Sequence, residues 1–158
     1  TRFLLETAFA TVKDFKDSVV ADFGAGWGAI TLVVATEFPN TKVIACEREV
    51  SEIEALRANT HALKNVEILK TDLTQKDSKR DEYHRSVNYI LSNFSFHITE
   101  EERKAFFQNA HKILAPRGML FFVTEGRFVA WFEKNAEDSF HIMNKYEQDG
   151  YIVFQCKK

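Results

Sequence analysis

"VVADFGAGWGAITL", Val19 to Leu32, decides the fold. It begins as a short apolar run ending in Gly, which reads as a buried strand. Gly24, Gly26 and Gly28 follow, and they let the backbone turn sharply and a ligand approach it closely. "GAITLVVATEF" then reads as a helix, stopped at Pro39-Asn40. A strand, a glycine turn and a helix are the opening unit of an α/β sheet.

The rest of the chain repeats that unit. "TKVIACE" is a second strand. "SEIEALRANTHAL" is a helix, with Ser51 as N-cap and Glu54 completing a capping box. "VEILKTD" is a third strand, and the polar "LTQKDSKRDEYHR" a loop. "VNYILSN" is a fourth strand. Thr99 and Glu102 form a second capping box, before a helix carrying Phe106, Ala110 and Ile113 on one face. Pro116-Arg117-Gly118 ends that helix, and "GMLFFVTEG" is the fifth strand. "RFVAWFEKNA" is a short helix. Asp149-Gly150, flanked by strand formers, predicts a closing hairpin. Upstream, "RFLLETAFATV" has the spacing of an amphipathic helix. The prediction is an α/β fold. One domain, residues 1–158, holds a doubly wound, mostly parallel seven-stranded sheet with a C-terminal antiparallel hairpin.

Composition sets bounds. The 158 residues are 45% apolar and 28% charged, with 15 Phe, which suits a globular domain with an aromatic core. No apolar run approaches the roughly 20 residues that span a bilayer, so no membrane role is expected. Cys46 and Cys156 suit a reducing compartment and have no zinc spacing, so a cytoplasmic location is expected. His61, His84, His97, His111 and His141 are scattered, and no metal is expected. Net charge is −2, so binding to nucleic acid needs a local patch or a partner. The chain does not begin with Met, which leaves a longer parent protein open.

Ligands of such sheets bind at the carboxyl ends of the strands. Gly24, Gly26 and Ala29 satisfy G-x-G-x-x-A, so a dinucleotide remains one candidate. Three acids point to another. Asp22 precedes the glycines, where a carboxylate can meet a cationic group. Glu47 ends the second strand, where it can accept both hydroxyls of a ribose. Asp72 ends the third, within reach of an adenine amino group. Ribose, adenine and a cationic tail without phosphate describe S-adenosyl-L-methionine.

On these motifs the chain resembles class I methyltransferases, with a Rossmann-like fold that closes in an antiparallel hairpin. The tail from "SNFSFH" onward is similar to the methyltransferase small domain family, and within it to guanine-N2 methyltransferases of small-subunit ribosomal RNA. The resemblance covers essentially the whole chain. That family has N-P-P-F-H after the fourth strand. Its Asn oxygen and the next carbonyl accept the two hydrogens of an exocyclic amine, and the aromatic ring stacks on the base. Here Asn93 holds the Asn position, Phe94 and Ser95 replace the prolines, Phe96 is the stacking ring, and His97 the His. The resemblance therefore implies Asn93 and Phe96 as catalytic. Gly24, Gly26, Gly28, Asp22, Glu47 and Asp72 would hold the cofactor, and Phe94, His97 and Arg127 the substrate. Asn88 stands where an Asp usually precedes the strand. Losing two prolines frees the loop, since proline fixes one backbone angle and limits its neighbour.

The implied activity is methylation of an exocyclic amine, guanine N2 of ribosomal RNA. The partner is ribosomal RNA or the small ribosomal subunit, gripped with help from another domain or subunit. Three alternatives stay open. One is an inactive methyltransferase-like module in ribosome assembly, another a protein or small-molecule N-methyltransferase. The third, more remote, is a nicotinamide-dependent oxidoreductase.

Overall fold

Residues that alternate along a strand face opposite sides of the sheet. In β1 (Val19–Phe23) Val20 and Asp22 face one side, and Ala21 and Phe23 the other. All four are buried, so this strand is covered on both faces. The computed structural model describes residues 1–75, 82–95, 97–136 and 139–158. Six further strands join β1: β2 (Lys42–Glu47), β3 (Val66–Lys70), β4 (Val87–Ser92), β5 (Leu114–Glu125), β6 (His141–Gln148) and β7 (Tyr151–Lys157). The helices are α1 (Arg2–Thr11), α2 (Ala29–Glu37), α3 (Val50–Thr60), α4 (Glu100–Ile113) and α5 (Val129–Ala136), the last entered through a 3-10 turn at Gly126–Phe128.

The strand order is β3-β2-β1-β4-β5-β7-β6. β1 to β5 are parallel, and β7 runs antiparallel to both β5 and β6. This is the doubly wound sheet with a closing hairpin that the sequence predicts, the Rossmann-like methyltransferase fold. The order reverses between β1 and β4, so a crevice opens at their carboxyl ends.

Two cores flank the sheet. On one face Leu4, Leu5, Ala8, Phe15, Ile30 and Val34 pack on Val20, Val43, Leu91 and Phe121. On the other, Phe106, Phe107 and Phe132 pack on Phe23, Phe122 and Phe154. The Phe122 and Phe154 rings stack 5.0 Å apart, and Phe107 meets Phe132 edge-on at 5.2 Å. Such pairs add about 0.5–1.5 kcal/mol each beyond the area they bury.

Two sequence expectations change. Ser51 does not cap α3: the helix starts at Val50 with Glu49 as N-cap and no side-chain cap. The Glu47 carboxylate explains this, because it accepts the N–H groups of Arg48 and Glu49 and turns the chain early. The fifth strand starts before the Pro116-Arg117-Gly118 turn. Leu114 already pairs with Val87, and the register shifts before Met119 meets Tyr89. Asn88 lies inside β4, and its Oδ1 accepts the Val19 N–H at 2.8 Å. That bond needs only an acceptor, which Asn supplies as well as Asp.

The second capping box is present: Thr99 accepts the Glu102 N–H and Glu102 accepts the Thr99 N–H. Asp149 and Gly150 both have positive φ, 51° and 77°, as the predicted tight hairpin turn requires. Residues 76–81 of the charged loop lie outside the described residues.

Candidate active site

The glycine loop leaves β1 by crossing to β2. The N–H groups of Gly24 and Ala25 both donate to the Cys46 carbonyl, at 3.0 Å. Gly24, Gly26 and Gly28 have φ of 76°, 55° and 100°, left-handed values that a residue with a Cβ resists. At Gly28 a Cβ would also stand 2.7 Å from Leu56 Cδ1 of α3, so this glycine lets α2 and α3 close together.

Asp22 shares a strand face with Val20 and so points at α2. Its Oδ2 accepts the Thr31 N–H at 3.0 Å and the Thr31 hydroxyl at 2.7 Å. Its Oδ1 is buried with no hydrogen-bond partner. Burial raises this carboxyl from 3.8 to about 7, against the two Thr31 bonds that pull it down. Glu47 is also buried. Its Oε1 accepts from Arg48 and Glu49, and its Oε2 accepts the Gly26 N–H at 2.9 Å. One carboxylate thus ties the glycine loop to the start of α3. Asp72 is partly exposed: Oδ1 caps Thr74 and Oδ2 lies 3.8 Å from the Arg48 guanidinium.

At the end of β4, Ser92 is buried and bridges two segments. Its hydroxyl donates to the Phe23 carbonyl and accepts the Phe94 N–H. The Phe94 ring stacks on Phe106 of α4, 5.3 Å between centroids and 19° between planes. It also covers Gly24, where a Cβ would lie 2.8 Å from Phe94 Cδ2. In place of prolines, the Ser92 hydroxyl and the stack on Phe106 help to hold the turn after Asn93. Phe96 lies outside the described residues.

A recess of about 200 Å³ opens beside this turn, lined by Asn93, Phe94, His97, Thr124, Phe128 and Tyr151 among others. Asn93 is exposed, and its Nδ2 donates to the Thr1 hydroxyl at 2.8 Å. At the rim, His97 Nε2 lies 3.1 Å from Glu125 Oε1, and Arg127 Nη2 2.8 Å from both Glu125 Oε2 and His97 Nε2. The His97 contact, then the Arg127 charge, holds the Glu125 carboxyl below its usual range. Arg127 also lies over the Phe128 ring, 5.1 Å from its centroid. The structure therefore gathers Asn93, Phe94, His97 and Arg127 at one recess, and Asp22, the glycines and Glu47 at the adjoining loop.

Thr124, Glu125 and Tyr151 escape the sequence reading. They sit at the end of β5 and the start of β7. The strand-end rule that picks out Asp22, Glu47 and Asp72 reaches Thr124 and Glu125 when applied to β5.

The profile of the family described as "methyltransferase small domain" matches residues 1–155. The chain belongs to the methyltransferase small domain family. It is a methyltransferase domain, and S-adenosylmethionine is the family's cofactor. Among solved structures it is similar to the 16S rRNA N2 G1207 methyltransferase RsmC of T. thermophilus, in complex with AdoMet and guanosine. The TM-score is 0.83 at 26% identity, over 99% of this chain and 42% of that one. TrmN from Thermus thermophilus shares the fold, with a TM-score of 0.80 at 21% identity over 97% of this chain and 47% of that one. Among curated relatives, a release factor glutamine methyltransferase of Mycolicibacterium smegmatis is 36% identical over 93 residues, 59% of this chain and 32% of the relative. Its counterpart in Burkholderia pseudomallei is 36% identical over 63 residues, 40% of this chain and 22% of the relative. The matches thus span at most about a third of those relatives' length.

The residues of this methyltransferase domain fit a sulfonium nucleoside. Asp22 Oδ1 is a buried acceptor lacking a donor, as a cationic ligand group requires. Glu47 lies beside a left-handed glycine loop with room at Gly26, where the nearest atom to an added Cβ is Glu52 Oε2 at 3.7 Å. Among the described residues no three His, Cys, Asp or Glu come together as metal ligands. No helix among them is long and apolar enough to cross a membrane.

Proposed function

We propose that this domain transfers a methyl group from S-adenosylmethionine to a planar, conjugated amine, the N2 of a guanine in small-subunit ribosomal RNA. The observation that carries the reading is the recess beside the glycine loop, with Asn93 at its edge and the rings of Phe94, Phe128 and Tyr151 in its walls. The likeness to a guanosine-bound relative along nearly the whole chain supports it.

Bound S-adenosylmethionine supplies an electrophilic methyl group on a good leaving group. The protein's work is then positioning and charge placement. Asn93 Oδ1 and the Phe94 carbonyl would accept the two amine hydrogens and orient the nitrogen lone pair, and one of those hydrogens leaves as a proton once the nitrogen is methylated. Nδ2 of Asn93 donates to the Thr1 hydroxyl, and Oδ1 is the accepting end of the amide. Ser92 and the stack on Phe106 fix where the Phe94 carbonyl points. Phe96 stacks on the base. Asp22, Glu47 and Asp72 hold the cofactor's cationic tail, ribose and adenine, over Gly24, Gly26 and Gly28. His97 and Arg127 guide the nucleotide at the rim. With a net charge of −2, the domain grips RNA with help from another domain or subunit, in the cytoplasm.

A second reading is methylation of a glutamine side-chain amide, favoured by the release factor relatives. An amide and a guanine amine present the same planar NH2. Tritiated-methyl transfer to undermethylated small ribosomal subunits and to an unmethylated release factor separates the two. The proposal expects label in the RNA, reduced roughly 100-fold in Asn93→Ala. Label in the release factor alone selects the second reading. No transfer to either, or transfer that survives Asn93→Ala, overturns the assignment.

A further inference from the structure

Thr124 is 4% exposed, yet its Oγ1 has no hydrogen-bond partner. Nearly all buried hydroxyls in folded proteins are paired, so an orphan calls for a reason. Pairing with Ile152 of β7 occupies the Thr124 backbone in the sheet and leaves the hydroxyl unused.

The surroundings point to what it meets. Thr124 lines the recess together with Asn93, Phe94, Phe128 and Tyr151. At about 200 Å³ the recess lies below the roughly 300–1,000 Å³ of ordinary ligand pockets, which suits one planar base rather than a whole nucleotide. The charged groups at the rim already face one another: Glu125, His97 and Arg127. The Thr124 hydroxyl is the buried polar atom of the lining with unspent capacity. Register adds a position. Ser92, the last residue of β4, pairs with Phe122, and Thr124 lies two residues further along β5 on the same face of the sheet as Phe122. Neighbouring strands stand about 4.8 Å apart. Thr124 thus stands on the strand next to the one that ends just before Asn93, and both residues line the one recess.

We propose that Thr124 is a specificity-determining residue whose hydroxyl donates a hydrogen bond to the ring carbonyl of the guanine acceptor. In guanine that carbonyl flanks N1 on the side away from the amine, which matches groups on adjacent strands. The inference rests on the reading of the acceptor as guanine.

2-Aminopurine riboside keeps the amine but lacks both the carbonyl and the N1 hydrogen, so the Thr124 variants are needed to isolate this contact. Equilibrium binding of guanosine and of 2-aminopurine riboside is measured with S-adenosylhomocysteine present. The variants are Thr124→Val, which keeps the shape, and Thr124→Ser, which keeps the hydroxyl. The wild-type chain is expected to prefer guanosine about tenfold, the worth of one buried hydrogen bond. Thr124→Val erases that preference by weakening guanosine alone, and Thr124→Ser retains it. A preference unchanged in Thr124→Val overturns the assignment, as does an equal loss for both nucleosides. If wild-type protein still labels ribosomal RNA in that event, only the role of Thr124 falls. If it neither binds guanosine nor labels RNA, the acceptor reading falls with it.

Discussion

The ring of Phe94 stands on Gly24: a Cβ at that glycine would lie 2.8 Å from Phe94 Cδ2. The end of β4 and the start of the glycine loop meet there, at the reversal of strand order. Phe94 therefore belongs to both halves of the site. Its N–H and ring are held by Ser92 and Phe106, and its face covers the backbone over which a nucleoside cofactor would lie. Gly24→Ala is expected to destabilise by about 1–2 kcal/mol from its φ of 76° alone, and further through the contact with Phe94. In Phe94→Ala the second part vanishes, so the double variant loses less than the two single losses added. Urea denaturation of the four proteins reads this coupling. Strict additivity would separate the two residues.

The same contact predicts a change in affinity. If the Phe94 ring must yield before the cofactor settles, the apparent dissociation constant carries the cost of that displacement. Phe94→Ala should then bind S-adenosylhomocysteine several-fold more tightly than the wild type in calorimetry, even as transfer slows because the turn loses its stack. Weaker binding in Phe94→Ala would make the ring part of the cofactor's grip instead.

Glu47 does two jobs, and substitutions can part them. Glu47→Ala leaves the N–H groups of Gly26, Arg48 and Glu49 without their acceptor, so both stability and cofactor binding should fall. Glu47→Gln keeps one accepting oxygen for the N–H groups of Arg48 and Glu49 but turns its NH2 onto the Gly26 N–H, so it should keep part of the stability that Glu47→Ala loses. It should weaken S-adenosylhomocysteine by roughly 1.5–3 kcal/mol, the worth of a hydrogen bond to a charged group. Thermal unfolding and calorimetry on both variants check the division. Equal affinity in Glu47→Gln and wild type would take the ribose contact away from this residue.

Thr99 anchors the helix that carries Phe106. Both halves of its capping box are made, so Thr99→Ala is expected to cost about 1 kcal/mol. The cost should appear as a lower denaturation midpoint with unchanged cofactor affinity, because the bonds lost are those between Thr99 and Glu102.

The layers of the fold were legible because β1 to β5 are apolar runs separated by helical spacing or, between β3 and β4, by a polar stretch, and Asp149-Gly150 can hardly be anything but a tight turn. The start of α3 was not, because the groups that turn the chain there are bound by Glu47, one step outside the capping pattern. The start of β5 was not, because pairing of Leu114 with Val87 outweighs the proline and glycine that follow. At the site, Asp22, Glu47 and the glycines announce themselves by residue type at strand ends. Phe94 on Gly24 does not, since no local pattern tells which distant backbone a ring will cover. Thr124 needs more than the strand-end rule: a threonine in an apolar strand looks like a strand former until its hydroxyl is found buried and unpaired.

Asp22 makes the site sensitive to pH. Its carboxyl titrates near 3.8 in the unfolded chain and at about 7 in the fold, because burial penalises the charge. Between those values the folded protein holds more protons at this position than the unfolded chain. Stability from this group is therefore complete at low pH, declines as pH rises through that window, and levels off above pH 7 or so. Asp22→Asn should abolish the decline, so the variant gains on the wild type as pH increases. Urea midpoints from acid to neutral pH test this, and parallel curves for the two proteins would refute it. A cationic ligand group at Oδ1 acts in the opposite sense, favouring the charged carboxylate and expelling its proton. Cofactor affinity should then rise as pH climbs through 7, and calorimetry in buffers of different ionisation heat should detect proton release. In Asp22→Asn both signals should disappear.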